Sequence, residues 1–133
     1  MDFEFELPIN LKYSPTHEWV RIEDKVATVG ITDYAQHQLG DIVFVELPEI
    51  GMVFEKGSNA AEIESVKAVG DLIMPLSGEI IAVNKKLSDN PELVNSSPFG
   101  EGWILKIKFS HTSEIDELLS VEQYKEIIQK EEP

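Results

Sequence analysis

The sequence contains no cysteine. That absence excludes a disulfide framework, an iron–sulfur cluster, a zinc site built from thiolates and a cysteine nucleophile. Basic residues are also scarce, because 11 lysines and arginines stand against 25 acidic residues and give a formal net charge of −14. A chain with so few bases lacks the clustered positive charge that binds phosphate backbones or anionic lipid headgroups. We therefore expect neither nucleic acid nor membranes among its partners.

Signatures of catalysis and of metal binding are equally rare. The three histidines, His17, His37 and His111, are far apart, and none has a second histidine at metal-ligand spacing. There is no nucleophile elbow, P-loop or dinucleotide-binding glycine motif. The sequence therefore predicts no metal site and no catalytic residues.

No apolar run approaches the length that spans a bilayer. The acidic start, Met1 to Leu7, has neither the basic flank and apolar stretch of a signal peptide nor the arginines of a transit peptide. We expect a cytoplasmic protein, or one in the mitochondrial matrix if the chain has already been processed.

Short apolar runs, separated by glycine, proline and polar turns, predict a mainly β fold. Residues 19–22 and 26–31 flank a short polar segment, which indicates a hairpin. Residues 42–47 are apolar up to Pro48 and are typical of a buried strand. Further strands are predicted at residues 60–66, 69–74, 79–83 and 103–109.

Helices are predicted between the strands and at the C-terminal end. Asp33 is the expected N-cap of a short helix that ends at Gly40. Residues 121–130 have an apolar stripe that could dock on the sheet, and Ser120 with Gln123 forms a possible capping box.

The first residues form a separate segment in this interpretation. We expect an N-terminal extension at residues 1–12 and one domain at residues 13–133. Phe3, Phe5 and Leu7 alternate with acids, as in an edge strand, but the segment could equally be disordered until something pairs with it.

A lone lysine lies between two of the predicted strands. Lys67, flanked by Val66 and Ala68, occupies the tip of a tight hairpin, and the nearest lysines on either side are Lys56 and Lys85. A protruding lysine held rigidly by a sheet is what an acylating enzyme needs. Taken alone, an ordinary solvated turn lysine would be the simpler interpretation.

A set of short motifs surrounds this lysine in a fixed order. Together they resemble the H-protein family of the glycine cleavage system from about Tyr13 to about Tyr124. The motifs are T-H-E-W-V at 16–20, V-G-I-T-D-Y-A at 29–35, L-G-D-I-V at 39–43, V-E-L-P at 45–48, E-S-V-K-A at 64–68, S-G-E at 77–79, N-P-E-L-V-N at 90–95 and G-E-G-W at 100–103.

The resemblance implies a flattened β-barrel of the lipoyl and biotinyl, hammerhead-like type. Such a fold has two small sheets and short peripheral helices, including a C-terminal helix. It also implies that Lys67 carries lipoic acid in amide linkage, attached by a lipoate ligase or a lipoyl or octanoyl transferase.

The function that the resemblance implies is that of a carrier without catalytic activity. The lipoyllysine would take the aminomethyl group of glycine from the pyridoxal-phosphate-dependent glycine decarboxylase (P-protein) to the aminomethyltransferase (T-protein). Dihydrolipoamide dehydrogenase (L-protein) would then reoxidise it.

Family members are understood to park the loaded arm in a surface cleft. The residues that correspond here are Thr16, Glu18 and Asp71, and the alternative role for the two carboxylates is ordinary surface solubility. His17 and Trp19 are expected to be structural. The segment Ala68-Val69-Gly70 departs from the family, in which small polar residues usually follow the lysine.

Other carriers share the hairpin lysine. Biotin carriers place methionine on both sides of it, and lipoyl domains of 2-oxoacid dehydrogenases lack the H-E-W and G-E-G-W segments, so both are disfavoured. Two alternatives stay open at this point. One is an H-like protein that donates lipoyl groups to other enzymes, and the other is a β-rich interaction module without a prosthetic group.

Overall fold

A computed structural model describes residues 5–131, which contain nine strands and four α-helices. The strands are β1 (Lys12–Tyr13), β2 (Glu18–Glu23), β3 (Val26–Ile31), β4 (Ile42–Glu46), β5 (Val53–Phe54), β6 (Asn59–Ser65), β7 (Val69–Ile73), β8 (Gly78–Val83) and β9 (Leu105–Phe109). The helices are α1 (Asp33–Leu39), α2 (Lys86–Asp89), α3 (Leu93–Ser96) and α4 (Val121–Glu131), and a 3-10 helix spans Thr112–Glu117.

The strands form two antiparallel sheets. The larger has the order β1-β2-β3-β9-β8-β5, and the smaller has the order β4-β6-β7. Alternate side chains of both sheets meet in one buried apolar cluster, to which Val29 and Ile107 contribute from the larger sheet and Ile63 and Leu72 from the smaller. The expected mainly β fold of two small sheets with peripheral helices is confirmed.

The predicted strand at 42–47 is only partly buried. Ile42 and Val45 lie in the core, but Val43 and Phe44 are about half exposed. The cause is that β4 is an edge strand of the smaller sheet and its pairing with β6 is irregular between Ile42 and Phe44. Such a bulge changes the direction of the side chains that follow it, so the prediction of a buried strand was wrong for Val43 and Phe44.

The first short helix begins one residue earlier than the sequence suggests. Thr32, not Asp33, is the N-cap, since its Oγ1 accepts a hydrogen bond from the amide of Ala35 at 3.2 Å. The Asp33 carboxylate instead accepts a hydrogen bond from the side-chain amide of Gln36. Gly40 ends the helix, as predicted.

The predicted capping box of α4 is confirmed. The amide of Gln123 donates to Ser120 Oγ at 3.3 Å, and the amide of Ser120 donates to Gln123 Oε1 at 2.9 Å. The helix then buries Val121, Tyr124 and Ile128 in a second apolar cluster, which also contains Tyr13, Trp19 and Tyr34 from the other end of the chain.

Residues 5–11 do not form the edge strand that the alternating pattern suggested. Phe5 and Leu7 instead pack against the second apolar cluster, and Tyr13 donates its hydroxyl proton to the carbonyl of Pro8 at 2.6 Å. Phe3 lies outside the described residues. Between residues 5 and 131, no helix is both long and apolar enough to cross a membrane.

Candidate functional site

Lys67 lies at the tip of the hairpin formed by β6 and β7. The last pair of the ladder is Glu64 with Val69, and beyond it Ser65 donates its amide hydrogen to the carbonyl of Ala68 at 2.8 Å. Ser65 Oγ also accepts the amide hydrogen of Ala68 at 2.9 Å. These bonds close the chain around a two-residue turn, in which the side chain of Lys67 is exposed.

The loop after α1 supports this turn. The amide of Val66 donates to the carbonyl of Asp41 at 3.1 Å. The stem of Lys67 lies over Gly40, where a β-carbon would be only 3.2 Å from Lys67 Cε. Gly40 also has a φ of 86°, a conformation that favours glycine. The residue that ends α1 therefore also makes room for the lysine.

A groove of about 310 Å³ opens beside the hairpin. The groove begins close to Lys67, because its lining includes Gly70, three residues after the lysine, and Leu39, the neighbour of Gly40. Here β7 and α1 are in contact, since a β-carbon on Gly70 would be 3.1 Å from Leu39 Cδ2. Its apolar lining comes from Ile31, Tyr34, Ala35, Leu39 and Ile63, and its polar lining comes from Thr16, His17, Gln38, Asp71 and Glu131. A concave surface that combines apolar side chains with convergent polar groups is typical of a ligand site.

A larger and more open concavity of about 520 Å³ lies elsewhere on the molecule. Leu47, Met52 and Asn59 are among its lining residues. Asn59 is at the opposite end of β6 from the turn that holds Lys67, so this concavity is remote from the lysine. The smaller groove is therefore the better candidate site.

The three residues expected to park the arm are brought to one region, but only two of them line the groove. Thr16 and Asp71 do so. Glu18 is completely buried behind Thr16. Its Oε1 accepts hydrogen bonds from Ser14 Oγ and Thr16 Oγ1, both at 2.5 Å, and its Oε2 accepts the amide hydrogen of Ile73 at 3.1 Å. Ordinary surface solubility is therefore not the role of Glu18.

Burial changes the acidity of Glu18. Desolvation raises its pKa to about 7, although the hydrogen bonds from Ser14, Thr16 and Ile73 act in the opposite direction. Near neutral pH, the side chain therefore exists in both its ionised and its neutral form. The carboxylate links the start of β2 to β7, the second strand of the lysine hairpin.

Ser14 was missed in the sequence. Its hydroxyl donates to Glu18 Oε1 and accepts the amide hydrogen of Glu18 at 3.0 Å. A serine four residues before an acid at the start of a strand is a weak signal, because hydroxyl residues are also common in turns for local reasons.

His17 and Glu131 are also groove residues. His17 has a φ of 77°, which is unusual for a residue with a side chain. Its Nδ1 lies 2.8 Å from the Tyr124 hydroxyl, and its Nε2 lies 3.1 Å from the carboxylate of Glu131. The sequence did not indicate Glu131, because 114 residues separate it from His17.

The comparisons with known proteins agree with this geometry. The sequence profile of the family described as Glycine cleavage H-protein matches residues 11–131. The chain belongs to this family. The family also accounts for the ordered motifs around Lys67, and the resemblance inferred from them is confirmed.

Relatives and a solved structure of the family extend over nearly the whole chain. The glycine cleavage system H protein of Thermotoga maritima is 55% identical over 120 residues, which are 90% of this chain and 97% of the relative. The probable glycine cleavage system H protein of Aeropyrum pernix is 55% identical over 126 residues, covering 95% and 88% of the two chains. The crystal structure of a glycine cleavage system H protein from Mycobacterium marinum superimposes with a TM-score of 0.86 at 36% identity, covering 92% of this chain and 99% of that one.

The residues present fit the lipoyl group that this family implies. An amide-linked lipoyl arm needs an accessible lysine, which the exposed tip supplies. Its long hydrocarbon chain needs an apolar surface within reach, and the groove beside β7 offers the partly exposed side chains of Ala35 and Leu39. The chain needs no sulfur of its own for disulfide chemistry, because the lipoyl group brings both sulfurs.

Proposed function

We propose that this chain is the lipoyl-carrying H protein of the glycine cleavage system, with lipoic acid attached to Lys67. The observation that supports this most directly is the position of Lys67 in the E-S-V-K-A motif. It lies at the exposed tip of a hydrogen-bonded two-residue turn, next to a groove with apolar and polar lining, in a chain of the H-protein family.

The hairpin presents the attachment site without blocking it. Val66 and Ala68 are exposed on either side of Lys67, so a lipoate ligase or a lipoyl or octanoyl transferase can reach the amine. Amide formation removes the positive charge of the lysine and leaves a long apolar tether. When attached, the lipoyl group would supply a disulfide that can accept the aminomethyl group of glycine, and dihydrolipoamide dehydrogenase would be the oxidant that restores it.

The groove provides the parking site in this proposal. Asp71 lines it directly, and Thr16 offers its hydroxyl oxygen. Because Thr16 donates its proton to Glu18, its oxygen is left to accept a hydrogen bond from a cationic amine in the groove. Glu18 therefore acts through Thr16, and its buried negative charge favours a cation nearby.

The chain itself is a carrier and not a catalyst in this proposal. It presents the arm in turn to the glycine decarboxylase (P-protein), the aminomethyltransferase (T-protein) and dihydrolipoamide dehydrogenase (L-protein). A tether raises the effective concentration of its reactive end at each partner. We further propose a cytoplasmic location and a single carrier domain at residues 13–133, preceded by the extension at residues 1–12.

The test is reconstitution of glycine-dependent carbon dioxide exchange with the P-protein. The lipoylated chain should support exchange, and Lys67→Arg should lose both lipoylation and exchange while it remains folded. Lys85→Arg, at an exposed lysine outside the hairpin, is the matched control and should behave like the unaltered chain. Exchange supported by Lys67→Arg, or none with the lipoylated chain, would overturn the proposal.

A further inference from the structure

The groove has a second carboxylate on its wall besides Asp71. Glu131, the last residue of α4, lines the groove and is about half exposed, with 45% of its side chain accessible. Glu18, by contrast, is enclosed and already accepts three hydrogen bonds from other residues of the chain. A cationic group in the groove can therefore reach Glu131 without displacing buried structure.

A chain of hydrogen bonds holds Glu131 in place. A carboxylate only accepts, so in the neutral imidazole of His17 the proton must be on Nε2, which donates to Glu131. Nδ1 then accepts from the hydroxyl of Tyr124 at 2.8 Å. The Tyr124 oxygen in turn accepts from Thr32 Oγ1 at 2.6 Å, and Thr32 Oγ1 accepts the amide hydrogen of Ala35. The end of α4 is thus connected to the N-cap of α1.

The backbone of His17 has an unfavourable conformation that holds its ring next to Glu131. Its φ of 77° is costly for a residue with a β-carbon. The conformation brings the ring within 5.0 Å of the Tyr34 ring and places its two nitrogens between Tyr124 and Glu131. Unfavourable backbone geometry of this kind concentrates at functional sites.

We propose that Glu131 is a binding residue for the cationic end of the arm attached to Lys67, and that His17 is the positioning residue that orients its carboxylate. A primary ammonium is the chemical class that the site would take. In the groove it would face two carboxylates, those of Asp71 and Glu131, which both line it. This inference rests on the proposed function, because it requires an arm on Lys67.

A stable mimic of the loaded arm makes the proposal testable without partner enzymes. The lipoylated chain is reduced and each thiol is alkylated with 2-bromoethylamine, so that a carbon–sulfur bond forms, bromide leaves and a primary ammonium is added. Iodoacetamide gives the uncharged control, with iodide as the leaving group. Because the chain contains no cysteine, the lipoyl sulfurs are the only thiols.

Two readouts follow, the melting temperature and the imidazole nitrogen resonances of His17. The unaltered chain should have a melting temperature about 2 to 4 °C higher when it carries the aminoethyl arm than when it carries the carbamidomethyl arm. The His17 resonances should differ between the two arms. Glu131→Gln should lose the response of His17 and reduce the temperature gain to the part that Asp71 supplies, whereas Glu126→Gln, at an exposed carboxylate on the same helix, should keep both effects in full. This control removes the general attraction of a cation to a chain of net charge −14.

Two results would overturn the inference. One is the same temperature gain in Glu131→Gln as in Glu126→Gln, and the other is that the His17 resonances of the unaltered chain do not respond to the charge of the arm. Failure of the proposed function is recognised separately. In that case, intact-mass measurement shows no lipoyl adduct before any alkylation is attempted.

Discussion

The buried carboxyl group of Glu18 makes the stability of the protein depend on pH in a predictable direction. Its pKa rises from 4.5 in the unfolded chain to about 7 in the folded one. The folded state therefore binds this proton more tightly than the unfolded chain does. The stabilisation of the fold that protonation of Glu18 provides is complete below about pH 4.5 and is lost as the pH rises through about 7. The full shift corresponds to about 3 kcal/mol, at about 1.4 kcal/mol for each unit of pKa.

The perturbation is Glu18→Gln, which cannot titrate. The glutamine keeps an acceptor oxygen for Ser14 and Thr16, but its amino group cannot accept the amide hydrogen of Ile73. We expect a loss of about 1 kcal/mol from that bond, independent of pH. In addition to this constant loss, the difference in unfolding free energy, Glu18→Gln minus the unaltered chain, should rise by about 2 to 3 kcal/mol between pH 5 and pH 8.

Urea unfolding at pH 5, 6, 7 and 8 measures this difference directly. The comparison of two chains removes the repulsion among surface carboxylates, which both chains share. Glu55→Gln, at an exposed position, is the control, and its unfolding free energy should follow that of the unaltered chain at every pH. A Glu18→Gln difference that stays constant from pH 5 to pH 8 would refute the reasoning.

Three further changes test individual contacts of the fold and of the site. Gly78→Ala would place a β-carbon 2.3 Å from the carbonyl oxygen of Lys108, so urea unfolding should show a loss of about 3 kcal/mol or more, and a near-neutral result would disprove that contact. Tyr124→Phe removes the hydroxyl that bonds the buried Thr32 side chain and the partly buried His17 ring, so it should cost about 1 to 2 kcal/mol in the same assay, whereas an unchanged midpoint would contradict it. Ser14→Ala removes a hydrogen bond that lowers the pKa of Glu18, so a carboxyl titration followed by carbon-13 NMR should show a higher pKa and not the same or a lower one.

The features of the site that depend on neighbouring residues could be predicted from the sequence. The turn at Lys67 follows from the predicted strands at 60–66 and 69–74, which leave two residues between them, although the observed β6 and β7 leave three. Gly40 ends α1 as the pattern indicated. The capping box of Ser120 and Gln123 is set by a spacing of three residues, and both of its hydrogen bonds form.

The remaining features depend on how distant segments pack, which a sequence pattern does not encode. The exposure of Phe44 follows from the edge position of β4 and its bulge. The T-H-E-W motif placed Glu18 at the parking cleft, but only the approach of β7 buries it behind Thr16. Glu131 reaches His17 only because α4 returns to the start of the chain.

Attachment of lipoic acid to Lys67 is tested by the intact mass of the chain after expression with a lipoate ligase. We expect one lipoyl adduct, located at Lys67 by peptide mapping, and no adduct in Lys67→Arg. An unmodified chain, or an adduct at any other lysine, would contradict it.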